Sequence, residues 1–453
     1  MGDGSCRKTR EAILSACLQP PSGADEKLMR VLLVNTSERT GGASIAACRL
    51  TRALGNSGVE ARLLVRDRVS DNPQVVSLPA SPWNKVKFVM ERAEIFLSNH
   101  FDRSRLFSVD HGAHGVDITR LPAFREADII HLHWINQGML SLSDVAAILR
   151  CGKPVVWTLH DMWPCTGICH QAGYCDRWLE GCGYCPLIGS RSENDLSSRT
   201  YRRKQRLMQQ GRIQLVACSN WLADIARRSP ITAHQPVASI PNPINTDFYC
   251  PQDKREARQR LNLPLDKRIL LFVSYRATDK NKGIDYLTEA LSLLCQRQPE
   301  LAHHLCVVPV GHEAESLRHS FACEACPQEY VRNSKMMRDL YNAADLLVLP
   351  TLMDNLPNTI VEGMACGVPC VGFEVGGLPQ MIAHGEDGYL ARLRDAADFA
   401  EGIGLLLFSS RYAAISEAAR RKAVDNYSEK VVARRYIEPV SYTHLRAHET
   451  ELH

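Results

Sequence analysis

The stretch "ADLLVLPTLMDNLPNTIVEGMACGVPCVGFEVGG", residues 344–377, decides the fold. A short run of apolar residues ends at Pro350, a helical pattern, "TIVEGMA", follows and stops at Cys366-Gly367, and a second apolar run comes after Pro369. Short apolar runs without alternation suit strands buried on both faces, and strand–helix–strand is the unit of a parallel sheet. Pro357 suits the first turn of the helix, and Gly367 with Pro369 suits its end. Two acids stand here, Asp354 in the loop after the strand and Glu362 about one and a half turns into the helix. They could be a general acid and base, two clamps on the hydroxyls of a sugar or ribose, or charges decorating a helix start. The free backbone N–H groups of the helix start lie between them, ready for ligand oxygens or phosphates. The spacing alone is a weak signal.

The same alternation runs outward in both directions. "RVLLVN", "EARLLVR", "ADIIHLHW", "KPVVWTLH" and "IQLVACS" read as strands in the first half, and "RILLFVSY" and "HLCVVPVG" join the two runs above in the second. "ASIAACRLTRALGNSG", "GIDYLTEALSLLCQR" and "KMMRDLYNA" read as helices. The Pro- and Asn-rich "VASIPNPINTDFYCP" separates the halves. The pattern predicts an α/β protein of two doubly wound, Rossmann-like domains facing a central cleft, over residues 29–238 and 251–439 with a linker at 239–250. Ligands of such sheets sit outside the carboxyl ends of the strands.

Both ends look foreign to this pattern. Residues 1–28 are mostly polar and Met29 opens the first strand, so a disordered or non-native extension is expected there. "VSYTHLRAHET", Val440 to Thr450, resembles the translation of a transposon-type sequencing adapter, so residues 440–453 are read as an artefact tail.

Of the 453 residues, 45% are hydrophobic and 23% charged, which fits a globular protein, and a net charge of +4 gives no footprint for nucleic acid. No apolar run reaches the ~18 residues of a membrane span. No secretory h-region stands at the start, so a cytoplasmic location is expected. The odd count of 17 cysteines argues against a full disulfide framework.

Further chemistry gathers at predicted strand ends. Arg276 and Lys282 in "SYRATDKNKGIDYL" can neutralise a diphosphate leaving group. Gly41 and Gly42 in "NTSERTGGASIAACRL" allow close backbone approach, although the G-x-G-x-x-G fingerprint is absent. "VVWTLHDMW" ends a strand at His160 and Asp161, and His131 and His133 in "IIHLHW" read as structural or acceptor-side. No D-x-D occurs, so a metal-bridged diphosphate is not indicated.

Four further segments carry patterns of their own. "SPWNKVKFVMERAEIFLSNHF" carries Trp83, Val86, Val89, Met90, Ala93, Phe96 and Leu97 on one helical face. The expectation is that this face packs on its own domain, and the alternative is an interfacial helix against an anionic membrane. The basic run Tyr201 to Arg206 reads as a solvated helix face. "MWPCTGICHQAGYCDRWLEGCGYCP" packs five cysteines between residues 165 and 185, and Cys182-x2-Cys185 has metal-ligand spacing. "CEAC", Cys323 to Cys326, has no second half nearby in sequence.

Over roughly residues 29–438 these pieces resemble the retaining family 4 glycosyltransferases of the GT-B fold. The resemblance rests on "TGG", "HLHW", "TLHD", "ACSNWLA", "IPNPINTDF", "KG", "YNAADLLVLPTLMDNLPNTIVEGMACGVP" and "GGLPQMI". "DNLPNT" and the cysteine loop look most like exopolysaccharide enzymes of the colanic-acid type. The resemblance implies a UDP- or GDP-linked sugar donor, a saccharide or lipid-linked acceptor and no catalytic cofactor; peripheral membrane contact would follow from the interfacial alternative for the helix over 81–101. It implies that Asp354 faces the donor sugar, supported by the backbone of Asn355 and Leu356, with His160 beside that sugar. Glu362 would hold the ribose, and Arg276 and Lys282 the diphosphate. The family motif usually has Glu where Asp354 stands, and the Arg276–Lys282 spacing departs from the commoner pattern. The resemblance also favours Cys169, Cys175, Cys182 and Cys185 as ligands of a structural zinc. Retention would follow from same-face attack, the leaving phosphate taking the acceptor's proton. The other readings are a GT-B nucleotide-sugar epimerase and a catalytically silent sugar-nucleotide-binding protein.

Overall fold

The computed structural model describes residues 28–438, residue 104 excepted. The polar extension before Met29, apart from its last residue, and the tail from Val440 lie outside the described residues.

The first sheet contains β1 Arg30–Ser37, β2 Glu60–Asp67, β3 Val75–Ser77, β4 Ile129–Leu132, β5 Val155–Leu159, β6 Ile213–Ala217 and β7 Val237–Ser239, in the order β3-β2-β1-β4-β5-β6-β7. The second contains β8 Arg268–Arg276, β9 Leu305–His312, β10 Glu324–Ala325, β11 Leu346–Leu349, β12 Cys370–Phe373 and β13 Gly388–Ala391, in the order β10-β9-β8-β11-β12-β13. Every pairing between these strands is parallel. Both orders reverse beside the first strand of their sheet, between β1 and β4 and between β8 and β11. Such a reversal opens a crevice at the carboxyl ends, where connecting segments depart to opposite faces.

The helices that matter below are α1 Gly42–Gly55, α2 Pro82–Ser98, α3 Leu196–Met208, α4 Asn220–Arg228, α5 Ile284–Arg297, α6 Asn358–Ala365 and α7 Tyr412–Tyr427. The uninterrupted apolar strands are explained by burial on both faces. Leu32, Leu132 and Trp157 enter one core of the first domain, and Leu33, Leu63 and Val216 the other. Leu271 and Leu347 face one core of the second domain, Leu270 and Val348 its opposite.

The crossings between domains fall differently from the sequence boundaries. Residue 238, the expected end of the first domain, lies inside β7. The chain also returns: residues 429–438 are helical, and Val432, Ala433 and Tyr436 join the first domain's core. The Tyr436 hydroxyl meets Thr158 Oγ1 at 3.0 Å. The outgoing and returning strands hold each other, Ile244 N donating to Tyr427 O at 2.8 Å and Glu429 N to Ile244 O at 3.1 Å.

Two helices depart from expectation. On α2 the buried residues are Glu91, Arg92 and Ile95, while Trp83, Val89, Met90 and Leu97 are exposed. The inversion has an electrostatic cause. Arg92 donates to Asp110 Oδ2 at 2.8 Å and Glu91 Oε1 accepts from Gly112 N at 2.9 Å. These buried partners fix the polar side inward and turn the apolar stripe out. On α3 the basic run is not wholly solvated either. Lys204 is 1% exposed, with Nζ donating to the carbonyls of Trp163 at 2.5 Å and Thr166 at 3.1 Å.

Candidate functional site

The second domain brings its charged residues together at the end of β8 and β11. The turn after β8 closes at Gly283, φ +79°, where a Cβ would lie 1.8 Å from the carbonyl oxygen of Pro350. Only glycine permits this approach, and it sets Lys282 beside the loop that follows β11. Lys282 Nζ donates to Asp354 Oδ2 at 2.5 Å, and Asn355 N donates to Asp354 Oδ1 at 3.0 Å. Burial pushes the Lys282 ammonium down, but the Asp354 carboxylate outweighs it and holds the ammonium above its ordinary value. Gly376 closes the same loop from the other side, since its Cβ would stand 1.9 Å from Asp354 O.

Asn355 carries the line across the cleft. Its Oδ1 accepts from Ser219 Oγ at 2.5 Å and its Nδ2 donates to the carbonyl of His160 at 3.1 Å. His160 Nε2 faces His133 Nδ1 at 2.9 Å, and His160 Nδ1 lies 3.6 Å from Cys218 Sγ. The rings of His131 and His133 stack with centroids 4.5 Å apart, and His131 Nε2 meets Thr158 Oγ1 at 2.8 Å. Burial pushes His160 down to about 4, His131 down to about 3, and His133 well below its ordinary value. All three are neutral at pH 7. His131 is an interior group, while His133 and His160 form one unit at the cleft. The Nε2 atom of His133 is buried with no hydrogen-bond partner among the described residues.

Glu362 sits deeper and is also engaged. Its Oε1 accepts from Arg49 of α1 at 2.5 Å and its Oε2 from the Tyr341 hydroxyl at 2.6 Å. Arg49 also lies over the Tyr249 ring at 5.4 Å. Burial pushes Arg49 down, and Glu362 overcomes it and holds the guanidinium above its ordinary value. The pair joins the domains through groups that are 10% and 9% exposed. Gly41 and Gly42 lead into α1 opposite the start of α6, where Asn358 Nδ2 donates to Gly42 O at 3.2 Å. Leu356 is buried in the second domain's core.

Arg276 is not brought to this line. It ends β8 at 61% exposure, with Nε 3.4 Å from Glu313 Oε1. Sequence reasoning missed Arg49, Ser219 and Tyr341. Ser219 was findable: it follows β6, and its side chain accepts from Leu222 N as a helix cap. Arg49 lies mid-helix and Tyr341 in the last turn of the helix Ser334–Ala343, with no local signal.

The cysteine loop sits against α3. Burial first, then the neighbouring thiols Cys185 and Cys175, push Cys169 up to about 11, and burial with Cys169 and Cys185 pushes Cys182 up to about 12. The four thiols share one neighbourhood, yet among the described residues no three of their sulfurs lie within 4.8 Å of one another. A tetrahedral zinc, with Zn–S about 2.3 Å, needs sulfurs about 3.8 Å apart. As placed, Cys169, Cys175, Cys182 and Cys185 are gathered without forming a closed shell.

Two sheets of this order, joined by interdomain contacts and by a C-terminal helix that returns to the first domain, define the GT-B architecture. Sucrose-phosphate synthase from Thermosynechococcus elongatus superposes with a TM-score of 0.63 at 18% identity, over 92% of this chain and 99% of that one. HepE from Anabaena, solved with UDP-glucose, gives 0.59 at 16% identity, over 91% and 100%. WaaG, a glycosyltransferase involved in lipopolysaccharide biosynthesis, gives 0.57 at 17%, over 90% and 98%. In sequence, residues 40–248 match the family described as Glycosyltransferase Family 4, and residues 267–408 that described as Glycosyl transferases group 1. The two matches together span most of the chain, and both describe glycosyltransferases. D-inositol 3-phosphate glycosyltransferase of Thermobispora bispora is 28% identical over 440 residues, covering 90% of this chain and 92% of the relative. The second enzyme of that name from Catenulispora acidiphila is 27% identical over 391 residues, covering 84% and 85%.

Proposed function

We propose that the protein transfers a sugar from a nucleotide diphosphate sugar to an acceptor hydroxyl, with retention at the anomeric carbon. One observation carries the reading: Lys282, Asp354, Asn355 and His160 form a continuous hydrogen-bonded line across the mouths of both sheets. A donor laid along this line places its diphosphate near Lys282, and its sugar between Asp354 and His160. The diphosphate takes over the ammonium now paired with Asp354, which frees that carboxylate to accept from sugar hydroxyls. Lys282 and the uncapped N-terminus of α6 stabilise the charge that grows on the leaving phosphate. Neutral His160 can donate to or accept from a sugar hydroxyl without carrying charge into the cleft. Asp354, once occupied by the sugar hydroxyls and by the N–H of Asn355, is poorly disposed as a nucleophile. This favours same-face attack, with the leaving phosphate accepting the acceptor's proton. Glu362 becomes a ribose clamp only as Arg49 shares or yields it.

HepE, with its bound UDP-glucose, supports a uridine nucleotide as the first donor to try. For the acceptor, the relatives named for D-inositol 3-phosphate support a phosphorylated polyol. The outward apolar stripe of α2 supports instead a lipid-linked saccharide at a membrane surface, in surface polysaccharide synthesis. A panel of UDP- and GDP-sugars, followed by nucleotide release with each acceptor class, tests the reading. Release that depends on acceptor, with an α-linked product from an α-linked donor, is expected. Binding without turnover on every acceptor overturns transfer, and an epimerised donor points to the epimerase reading.

For the loop, we keep a structural zinc on Cys169, Cys175, Cys182 and Cys185 as a proposal. Buried Lys204, with only carbonyls as hydrogen-bond acceptors but close to Cys169 and Cys182, suits an anionic cluster of zinc thiolates. Elemental analysis of the wild type against Cys182→Ser tests it, and a metal-free wild type ends it.

A further inference from the structure

In sequence, Cys323 and Cys326 are a pair without a second half. The fold supplies one from another strand. The two-residue edge strand β10 pairs with β9 so that Glu324 stands opposite Cys306, and Cys326 N donates to Val307 O at 2.8 Å. Extended backbone alternates its side chains. Glu324 and Cys326 therefore share a side, and Cys323 takes the other, where it packs with the core that contains Cys295. Cys306 and Cys326 instead meet the core of Ile269 and Val308. As a result, Cys306 Sγ, Cys326 Sγ and a carboxylate oxygen of Glu324 lie within 4.8 Å of one another.

We propose that this edge binds a thiophilic divalent cation of the zinc class, held by Cys306, Cys326 and Glu324, with a fourth position open to water. The donor set selects it: two sulfurs and one carboxylate suit zinc and do not suit magnesium or calcium, which take oxygen alone. Charge supports the same choice. Two thiolates and a carboxylate balance a divalent cation together with Lys267, whose Nζ lies 2.5 Å from Glu324 Oε2. The other oxygen, Oε1, is 3.6 Å from Cys326 Sγ, so one carboxylate atom already faces the thiols. A tetrahedral shell needs these donors about 3.5–3.8 Å apart. The closure falls to Glu324, which is exposed, and to Cys326, which is partly so. A disulfide fits less well. The cysteines are diagonal across the pair rather than directly opposite, and both stand as free thiols.

The site would fasten an edge strand of only two residues to its sheet and cover part of an exposed edge. A free cysteine thiol is protonated near neutral pH, and zinc takes it as the thiolate. Binding therefore releases protons as two S–H bonds are exchanged for two metal–sulfur bonds.

The test uses the full chain, stripped of metal under reductant and titrated with zinc alone and with cobalt alone. Wild type, Cys326→Ser, Glu324→Gln and the loop variant Cys182→Ser are compared, with near-ultraviolet circular dichroism to confirm folding. Cys326→Ser should lose one tight equivalent of zinc per chain, while Cys182→Ser keeps that equivalent. The cobalt form should show sulfur-to-metal charge transfer that weakens in Cys326→Ser, and zinc uptake at this site should release about two protons. Glu324→Gln should bind more weakly with its charge-transfer band retained. Equal zinc content and equal cobalt spectra in folded wild type and Cys326→Ser overturn the proposal. So does a Cys306–Cys326 disulfide, read as two thiols lost on removing reductant and restored on adding it.

Discussion

At the carboxyl ends of β8 and β11 the second domain presents full charges, each held by an opposite one. At the ends of β4 and β5 the first domain presents imidazoles whose charge has been removed by burial. The first six strands of each domain follow the same order, so topology does not set this difference. A domain that must receive a diphosphate needs cations, and cations kept near a cleft without ligand need counter-charges to exchange. A domain facing the reacting sugar can use hydrogen bonds alone, and neutral imidazoles supply them without a counter-ion.

The largest expected effect breaks the comparison at its deepest charged pair. Arg49→Ala leaves the Glu362 carboxylate buried beside Tyr341 without its cation, which should cost about 3–5 kcal/mol of stability. The urea midpoint measures it. Adding Glu362→Gln should restore part of the loss, because no uncompensated charge remains. If Arg49→Ala unfolds at the wild-type midpoint, the pair is not a structural link between the domains.

Next comes Lys282, the cation proposed to exchange partners. Lys282→Ala should lower kcat/KM about 10²–10³-fold, near 2.7–4 kcal/mol, as expected when one donor to a developing anion is removed. The loss should fall mainly on kcat, and Lys282→Arg should recover part of it. An unchanged kcat would move the phosphate-binding role elsewhere, with Arg276 the next group to test.

How legible was this in the sequence? The sheets were, because strands buried on both faces have no polar alternation to hide them, and "ADLLVLP" and "IIHLHW" occupy β11 and β4 and their flanks. The strand-end residues were as well, since topology carries Lys282, Asp354 and His160 to one cleft. Their partners were not. The Lys282–Asp354 pairing depends on Gly283 meeting Pro350 across 67 positions of chain. The Arg49–Glu362 pairing joins residues 313 apart in different domains. The α2 reading failed for a related reason. Periodicity located the apolar stripe, but which face turned inward was decided by Asp110, in a separate segment. "CEAC" likewise hid its third donor, Cys306, on a neighbouring strand.

The neutral histidines make a third, smaller prediction. Unfolded imidazoles titrate near pH 6.5, whereas His160 and His131 do so near 4 and 3 in the folded chain, and His133 and His111 are lowered too, all chiefly by burial. Between about pH 4 and 6.5 the unfolded chain therefore binds more protons at these groups. Stability is full above that window and falls as pH drops through it, by up to about 1.4 kcal/mol per pH unit for each histidine. Glu91 runs the other way, since burial and then Asp110 push it up to about 9, but it is one group against four. The urea midpoint should fall from pH 7 to pH 5, and His131→Gln should flatten the slope. A midpoint that rises on acidification would mean that these imidazoles carry charge in the folded state.

The smallest effect on the fold carries the comparison to the surface. The ends of β4 and β5 carry neutral imidazoles, yet the first domain buries Glu91 and Arg92 beneath α2, and that arrangement leaves Trp83, Val89, Met90 and Leu97 in solvent. Replacing Val89 and Met90 by glutamate removes no buried contact and should change stability by no more than about 0.5 kcal/mol. If the stripe lies in a lipid interface, the double variant loses both apolar burial and attraction to anionic headgroups. It should then sediment less with vesicles of anionic lipid, while turnover on a water-soluble acceptor stays at the wild-type rate. Turnover on an acceptor embedded in the same vesicles should fall in step with binding. Equal sedimentation of variant and wild type would assign the stripe to some other contact and leave the polysaccharide reading without its main physical support.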